Sequence, residues 1–474
     1  MLTQRTTLCD VGNEKTLRFD VDYIKYHQAH EENYYSFNDL FSIITEGGYS
    51  EGDLLGPFKY CEIGNSDKNG DISPVILDFD KRSLEDESYY KKIEKGDITA
   101  VAKDDILIAK VRPNLKKYVR ITSDKESVYF TTAFIRLQAK EMPDLLYYCL
   151  RSVFYEDLMA IARQGKGYPT INEKDLVTLK FYCNIINKLR AGYTDISLLI
   201  KEAGCKIRGK QACILSSQAI IDSVFQHEFG FDYARFEELK ANKHYTAKYP
   251  LFSNNPDLRF STKFHRPAGD YVMEQLLEIT EKKIKHFLSE PILLGASVSP
   301  KDYDEFGEYS YISMATIKTW TFDSDAASSV SDSFSSDKAL KTVRKNDIIL
   351  ARSGEGTIGK AAIITDDDIK GVFSDFTMRI RLDESSYNPI FAYYYMRSCY
   401  FQYLIEVYKK GLGNNTNIFP IVIQEFPIPD ISLADQQRIV DEIQTEIERQ
   451  EKIKDEIAAL RNQIDVAIMQ TITA

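Results

Sequence analysis

Hydrophobic residues follow a helical spacing over the last part of the chain. They recur every three, four or six positions, which keeps them on one face of a helix while charged residues occupy the other face. The predicted helix begins at Leu433 and runs to about Met469, a length of roughly 57 Å at 1.5 Å per residue. Such a helix is too long for the core of one compact domain, so we predict one arm of a coiled coil. The apolar stripe consists of Ile439, Ile443, Ile447, Ile453, Ile457, Leu460, Ile464 and Ile468.

Four segments of the first half of the chain are repeated in the second half. They occur in the same order, at a nearly constant spacing of about 240 residues, which makes chance an unsatisfactory explanation. Each copy predicts short strands, then a tyrosine-rich helix, a glycine-containing loop and a closing strand. We therefore predict one mixed α+β domain that occurs twice. The paired segments are 17–23 with 258–264, 105–110 with 347–352, 128–137 with 372–382, and 145–152 with 391–398.

The sequence between the two copies differs from both of them. Its apolar residues fall at helical spacing as far as Leu239, so it is expected to supply the partner arm for the C-terminal helix. Glycine weakens helices, and Gly192, Gly204 and Gly209 lie within this region. The central arm is therefore expected to be shorter than the C-terminal helix, or broken.

The start of the C-terminal helix carries a family resemblance. Phe426 to Ile443 reads Phe-Pro-Ile-Pro-Asp-Ile-Ser-Leu-Ala-Asp-Gln-Gln-Arg-Ile-Val-Asp-Glu-Ile, a proline-punctuated strand end followed by a serine that can cap a helix. This order of a proline-punctuated strand end, a capping serine and a helix that contains Gln-Gln-Arg-Ile resembles the C-terminal region of type I restriction-modification specificity subunits. The resemblance implies an α+β fold class, with two tandem mixed α/β target-recognition domains separated by long helices that form an antiparallel coiled coil. The implied divisions are an N-terminal tail (1–16), recognition domain 1 (17–183), a central helical spacer (184–257), recognition domain 2 (258–430) and the C-terminal helix (431–474).

The resemblance also implies a function and partners. It implies a non-catalytic subunit that reads a gapped, two-part DNA target and recruits two adenine-methylating subunits, and in a full complex two restriction subunits. This chain would bind no cofactor itself; S-adenosylmethionine would belong to the methyltransferase partner, and ATP and Mg to the restriction partner. The alternative is a DNA-recognition or scaffold subunit of another defence complex that does not methylate. The implied docking residues for the methyltransferase are Gln436, Gln437, Ile443 and Ile447.

Composition limits these possibilities. The net charge of −11 argues against a protein that coats nucleic acid unaided, so a DNA reader of this composition needs locally basic loops. The seven cysteines are dispersed and never form a Cys-x-x-Cys pair, which suggests neither a disulfide framework nor a zinc site. No long apolar run or secretory signal is visible, so we expect a cytoplasmic protein.

One glycine-rich segment matches two nucleotide-binding patterns. Residues 354–360 read Gly-Glu-Gly-Thr-Ile-Gly-Lys, which fits both the dinucleotide fingerprint and the first part of a P-loop. The next residue, however, is Ala361 instead of the serine or threonine that binds Mg²⁺, and the following residues are strand-like, so no helix N-terminus is offered to a phosphate. We favour a β-hairpin that contacts DNA over a plain hairpin, and both over a nucleotide-dependent enzyme.

Basic loops occur at corresponding places in both copies. Lysine and arginine in these loops would contact phosphates, whereas arginine, asparagine, threonine and tyrosine side chains are candidates for reading bases. Plain solvated loops remain the alternative for each of them. We find no cluster of residues that suggests a catalytic or metal site. The predicted DNA-binding residues are Lys110, Arg112, Lys116, Lys117, Arg163, Lys166, Tyr168, Arg352, Ser353, Thr357, Lys360, Lys409, Lys410, Asn414, Asn415 and Thr416.

Overall fold

The computed structural model divides into two compact units. The first contains residues 1–213 and 455–474, and the second contains residues 214–454. Each unit includes one copy of the repeat together with part of the long helices. The described residues are 18, 20–29, 33–45, 54–82, 86–164, 167–242, 244–253, 259–354, 356–411 and 415–474.

The first unit contains a four-stranded and a three-stranded sheet. The larger sheet is antiparallel with strand order β2-β8-β5-β6, and the smaller one has the order β4-β3-β7, in which β3 and β7 are parallel. Its strands are β1 (Tyr34–Ser36), β2 (Phe41–Ile44), β3 (Phe58–Cys61), β4 (Val75–Leu77), β5 (Asp105–Ala109), β6 (Tyr118–Arg120), β7 (Val128–Phe130), β8 (Phe134–Ala139), β9 (Arg163–Gln164), β10 (Pro169–Thr170) and β11 (Lys180–Tyr182). Its helices are α1 (Val21–Ala29), α2 (Phe37–Leu40), α3 (Glu87–Ile93), α4 (Pro143–Arg151), α5 (Tyr155–Ile161), α6 (Glu173–Leu176) and α7 (Cys183–Gln211).

The second unit repeats this sheet topology. Its larger sheet has the order β12-β18-β15-β16, and its smaller one the order β14-β13-β17 with a parallel β13–β17 pair. The strands are β12 (Leu293–Leu294), β13 (Tyr309–Ile312), β14 (Ser329–Val330), β15 (Ile348–Ala351), β16 (Ala361–Ile363), β17 (Gly371–Phe373) and β18 (Thr377–Ile380). The helices are α8 (Ser217–Phe229), α9 (Tyr233–Ala241), α10 (Tyr249–Ser253), α11 (Pro267–Ile279), α12 (Met314–Ile317), α13 (Asp332–Asp337), α14 (Pro389–Arg397), α15 (Cys399–Tyr408), α16 (Pro420–Ile423) and α17 (Leu433–Thr473).

Strands β5 and β15 are buried on both faces, which explains their unbroken apolar sequences. Ile106 and Ile108 of β5 face the core that contains the tyrosine-rich helix α4, whereas Leu107 and Ala109 face a separate, smaller core. The alternation is repeated along β15 in the second unit. Because side chains of a strand point alternately to opposite faces, a strand between two cores must be apolar at every position.

An aspartate at the entrance to each of these strands is also repeated. Asp105 and Asp347 are 1% and 0% exposed, and their carboxylates bond arginines of the neighbouring strand region, Arg136 at 2.6 Å and Arg381 at 2.6 and 2.7 Å. Each carboxylate also accepts a backbone N–H from three residues earlier. A buried charge needs this kind of pairing, so the two aspartates fix the strand entrance in both units.

The C-terminal helix pairs with α7 in the first unit. Ile464 and Ile468 share a core with the apolar face of α7, and Lys188 Nζ donates to Ile472 O at 2.9 Å. Lys210 near the other end of α7 pairs with Glu456, so the two helices run antiparallel. The prediction that the central arm is broken is confirmed, but the break lies between α7 and α8 and not at the glycines, which all fall inside α7.

Gly192 has a packing reason to be a glycine. A Cβ at this position would lie 2.8 Å from Cγ2 of Thr471 on the C-terminal helix. The absence of a side chain therefore lets the two helices approach closely, at the small cost that glycine imposes inside a helix.

In the second unit the first part of α17 pairs with α8. Arg438 bonds both carboxylate oxygens of Glu228, at 3.0 and 2.5 Å, and Gln450 Oε1 accepts the N–H of Leu215 at 2.9 Å. These contacts again make the pair antiparallel. The predicted fold class is therefore confirmed, and the residues of the predicted stripe are buried or half-buried along α17.

Candidate nucleic-acid interface

The two predicted DNA-binding loops of each copy meet in the structure. In the first unit the N–H of Ile171 donates to Lys110 O at 2.9 Å, and in the second the N–H of Ile418 donates to Arg352 O, also at 2.9 Å. The adjacent bridged pairs are Val111 with Thr170 and Ser353 with Asn417. We call residues 110–112 with 163–164 and 167–171 the first junction, and residues 352–354 with 410–411 and 415–419 the second junction. The chain thus builds the same contact between the loop after the central strand and the closing loop twice.

An arginine lies beside an exposed aromatic ring at each junction. The guanidinium carbon of Arg112 is 5.1 Å from the ring centre of Tyr168, and that of Arg352 is 6.0 Å from the ring centre of Phe419. The rings are 43% and 41% exposed, respectively. Such cation–π contacts hold an arginine in place without neutralising its charge. Both junctions therefore present an ordered positive group and an aromatic face to solvent.

Several predicted cations are already paired within the protein. Arg163 Nε bonds the buried carboxylate of Asp175 at 2.9 and 3.0 Å, and Lys110 Nζ lies 2.9 Å from Glu173. Although partial burial opposes it, the bond from Lys110 lowers the pKa of Glu173. Lys409 similarly pairs with a glutamate of α15, at 2.6 Å. These cations order the junction loops, and a direct DNA contact by any of them stays a prediction.

The hydroxyl residues of the second junction are mostly turned inward. Ser353 and Thr416 are only 6% and 3% exposed, and Ser353 Oγ donates to Thr416 O at 3.2 Å. Thr357 Oγ1 donates to Ser353 O at 2.9 Å. Asn415 is exposed, as is Lys410. Lys166 and Asn414 lie outside the described residues.

The glycine-rich segment 354–360 forms the turn of the β15–β16 hairpin. Gly354 and Gly359 have φ values of +86° and +84°, which glycine adopts without strain. The segment is followed directly by strand β16, so its described part offers no helix N-terminus to a phosphate.

A tyrosine and an arginine one helical turn apart are repeated on the tyrosine-rich helices. Arg151 donates to the hydroxyl of Tyr147 at 2.8 Å on α4, and Arg397 donates to that of Tyr393 at 3.0 Å on α14. These two arginines are not among the DNA-binding residues predicted from the sequence. The signal was available, because the Tyr–Arg spacing is the same in both repeated segments.

These arginines lie near predicted DNA-binding lysines. Lys117 and Lys360 occupy the same position in the two units, directly before the first residue of β6 or β16. Lys360 Nζ lies 4.1 Å from the ring centre of Trp320, and the Arg397 guanidinium lies 5.4 Å from a Trp320 ring. Burial and the neighbouring Arg397 lower the pKa of Lys360. Lys360 thus lies under the indole of Trp320.

The predicted docking residues of α17 are largely internal. Gln436 is 1% exposed; its Oε1 accepts the N–H of Asn388 at 2.7 Å, and its Nε2 donates to Ile431 O at 2.8 Å. Ile443 is fully buried and Ile447 packs against the same core. Gln437 is exposed, although its Oε1 also accepts from Asn388 Nδ2 at 2.9 Å. Gln436 therefore connects the long helix to the start of α14, and docking by these residues stays a prediction.

The described part of the chain has neither a membrane-spanning helix nor a cluster of metal ligands. No helix there is both long enough and apolar enough to cross a membrane. Nor do its histidine, cysteine and acidic side chains assemble into a group of three or more that could hold a metal ion.

A family comparison identifies the class of this architecture. Residues 292–460 match the family model described as "Type I restriction modification DNA specificity domain". The matched range begins just before β12 and ends inside α17, so it covers most of the second unit's sheets, the second junction and the first part of the long helix. The class is thus a non-catalytic DNA-recognition domain. Over residues 292–460 the chain is thus similar to the DNA specificity domain of type I restriction-modification systems, the family that the resemblance implied. No curated protein matches the chain.

Solved structures of similar length also match the chain. One comes from work described as the "structural basis underlying complex assembly and conformational transition of the type I R-M system"; it is 14% identical, covers 93% of this chain and 97% of the other, and has a TM-score of 0.43. The HsdS subunit from Thermoanaerobacter tengcongensis is 13% identical over 93% and 96% of the chains, with a TM-score of 0.34. The type I S subunit from M. genitalium is 12% identical over 93% and 95%, with a TM-score of 0.42.

Proposed function

We propose that this chain reads a gapped, two-part DNA target, one half-site with each unit, and recruits methyltransferase subunits that methylate adenine at N6. The observation that carries the proposal is the repeated junction. Two domains of the same topology present the same loop contact, each with an ordered arginine beside an exposed ring. Two like surfaces on one chain suit two half-sites, whereas one continuous site would need only one such surface.

The junctions have the chemistry that DNA recognition requires. Arg112 and Arg352 can each donate two parallel hydrogen bonds to a guanine edge, and the nearby rings limit the side-chain freedom lost on binding. Lys410 and Asn415 are exposed next to the second arginine, where they can contact phosphate and base. Local basic loops of this kind allow an acidic protein to bind DNA, because the electrostatic attraction is short-ranged in physiological salt.

The exposed face of the long helix α17 offers a docking surface for the protein partners. The exposed face of α17 carries Gln437, Asp441 and Glu442, and an acidic, polar face of this kind suits a protein partner better than DNA. S-adenosylmethionine would be bound by the methyltransferase, and ATP and Mg by restriction subunits in a complex that contains them. The work of such a complex on host DNA is consistent with the cytoplasmic location that the sequence predicts.

The deciding experiment maps methylated adenines. The chain would be co-expressed with the methyltransferase encoded beside its gene, and modified adenines would be mapped across the host DNA. A gapped two-part motif that depends on this chain is the expected result. A stable complex with neighbouring proteins and no new methylation would instead favour a scaffold subunit of another defence complex.

Single arginine variants sharpen the experiment. Arg112→Ala should relax the base preference in one half of the motif and leave the other half intact, and Arg352→Ala should do the converse. Each lost bidentate contact is worth about 1–3 kcal/mol of discrimination. Arg235→Ala is a matched control, since Arg235 is exposed on α9 and pairs only with nearby Glu238 in the described structure. If either junction variant altered both halves equally, the assignment of one half-site to each unit would be wrong.

A further inference from the structure

A cleft of about 690 Å³ opens in the first unit, and neither Arg112 nor Tyr168 of the first junction is among the residues that line it. It is bounded by the turn before β4, the loop before β6, the end of α4 and the last part of α17. Among its described lining residues, Asp465 is the only acid. The charged lining residues are Lys68, Lys116, Lys117, Arg151, Arg461 and Asp465.

The cations of this cleft differ in how they are held. The two arginines are anchored: Arg151 donates to Asn69 O at 3.0 Å, and Arg461 donates to the carboxylate of Asp71 at 2.5 Å. The three lysines, in contrast, form no ion pair with any described residue. Lys116 Nζ lies 3.9 Å from the ring centre of Tyr155, and Lys117 Nζ donates to Ile63 O at 3.0 Å. The cleft therefore keeps three ammonium groups that form no ion pair beside two anchored guanidinium groups, with Asp465 as the one acid among its described lining residues.

The second unit has an equivalent lysine and arginine, but their surroundings differ. Lys360 and Arg397 correspond to Lys117 and Arg151, but both lie against Trp320, which comes from the same chain. The face of the indole supplies the electron-rich partner that the two cations need. In the first unit Asn69 takes the place of Trp320, because its carbonyl accepts from the hydroxyl of Tyr147 as that of Trp320 accepts from Tyr393. Asn69 lines the cleft and brings no indole over Lys117 or Arg151.

We propose that this open cleft of the first unit is a binding site for phosphate groups. Three ammonium groups and two guanidinium groups along one cleft suit an anion with several oxygens and more than one charge, which phosphates provide and a single carboxylate does not. The phosphates can come from the DNA backbone, outside the bases read by the junction, or from a free nucleotide or polyphosphate. The DNA source rests on the proposed function, whereas the free phosphate source does not.

The test measures two ligands on the full-length chain. Inorganic tripolyphosphate is titrated by calorimetry, and a non-specific DNA duplex is titrated at several salt concentrations. The variant Lys116→Ala/Lys117→Ala is compared with Lys59→Ala/Lys95→Ala, which removes two exposed lysines of the same unit that do not line the cleft. Tripolyphosphate affinity should fall by about tenfold or more in the cleft variant, as expected for lost charge-assisted bonds, and should be unchanged in the control.

The duplex distinguishes the two sources. If the site holds backbone phosphates, the cleft variant should bind every DNA sequence more weakly, and the slope of log K against log salt should flatten by about 2. Loss of tripolyphosphate binding with unchanged DNA binding would identify a free nucleotide or polyphosphate site. If the cleft variant matched the control for both ligands, the proposal would be overturned. A chain that bound tripolyphosphate at the cleft but no DNA would contradict the proposed function alone.

A second variant tests the comparison between the units. Trp320→Gly should uncover Lys360 and Arg397 and raise the number of tripolyphosphate sites from one to two. Glycine is chosen because Trp320 has a φ of +67°, which glycine tolerates. Retention of one site in a folded variant would mean that the indole does not occupy an equivalent site, and the argument from the repeat would fail.

Discussion

The contact between Gln436 and Asn388 makes a prediction that separates folding from partner docking. Gln436 is buried and satisfies two backbone groups, the N–H of Asn388 and the carbonyl of Ile431. Gln436→Met keeps a side chain of similar length and good helix propensity but removes both hydrogen bonds. Leaving a buried polar group unpaired costs about 1–3 kcal/mol, so two such groups should lower the free energy of unfolding by about 2–6 kcal/mol.

The neighbouring residue provides the matched control. Gln437 is exposed, and its bonds to Asn388 and Asp441 are open to water, so Gln437→Met should change the free energy of unfolding by less than about 0.5–1 kcal/mol. Urea denaturation can be followed by the fluorescence of Trp320, the single tryptophan, which lies in the second unit. A change at Gln437 that disrupts co-purification with the methyltransferase without affecting stability would locate docking on the exposed face of α17.

Two outcomes would refute this reasoning. An unchanged urea midpoint for Gln436→Met would mean that water or a local shift satisfies Asn388 and Ile431. Loss of methyltransferase binding by that variant, at full stability, would mean that Gln436 contacts the partner directly after all.

Three further predictions address the helices, the buried charges and the response to acid. One heptad inserted after Ile200 and another after Ile464 should preserve the pairing of α7 with α17. Because seven helical residues span about 10.5 Å, the gap between the two half-sites of the DNA target should lengthen by about 3 base pairs. An unchanged gap in the methylation motif would contradict the role of the helices as a spacer. Asp347→Asn should cost about 1–3 kcal/mol in urea denaturation, because it weakens the two hydrogen bonds from Arg381 while Glu290, 3.1 Å from the same guanidinium, still compensates its charge. A cost below about 1 kcal/mol would show that the pair of Asp347 with Arg381 is dispensable. Hydrogen bonds from Lys283 and Lys285 lower the pKa of Glu425 to about 2, so the stabilising contribution of Glu425 is present above pH ~4.3 and is lost as the pH falls through about 2. Glu425→Gln should therefore reduce the dependence of stability on pH between these values, by a small amount because the ion pairs are exposed. An unchanged acid-denaturation profile would argue against the lysine contacts.

The site was only partly predictable from the sequence. Basic loops at corresponding positions were visible, but their meeting was not, because Lys110 and Ile171 are 61 residues apart and their hydrogen bond depends on the whole domain between them. The same limit applies to Lys360: its sequence context suggested a hairpin contact with DNA, and only the folded chain shows Trp320 lying over it. Gln436 was associated with a partner by its motif, whereas its depth depends on how α14 packs against α17.

The sequence by itself determined the periodic and repeated features. The isoleucine stripe of α17 follows from the geometry of one helix, and the repeat follows from the order of short segments, so both were readable without tertiary contacts. Only the tertiary structure decided which of the equivalent basic side chains line a cleft and which are covered by another side chain. Lys117 and Lys360 have equivalent positions, yet the first lines an open cleft and the second lies under an indole. That difference comes from residues distant in the chain, and hydrophobic burial and charge pairing act on neighbours in space.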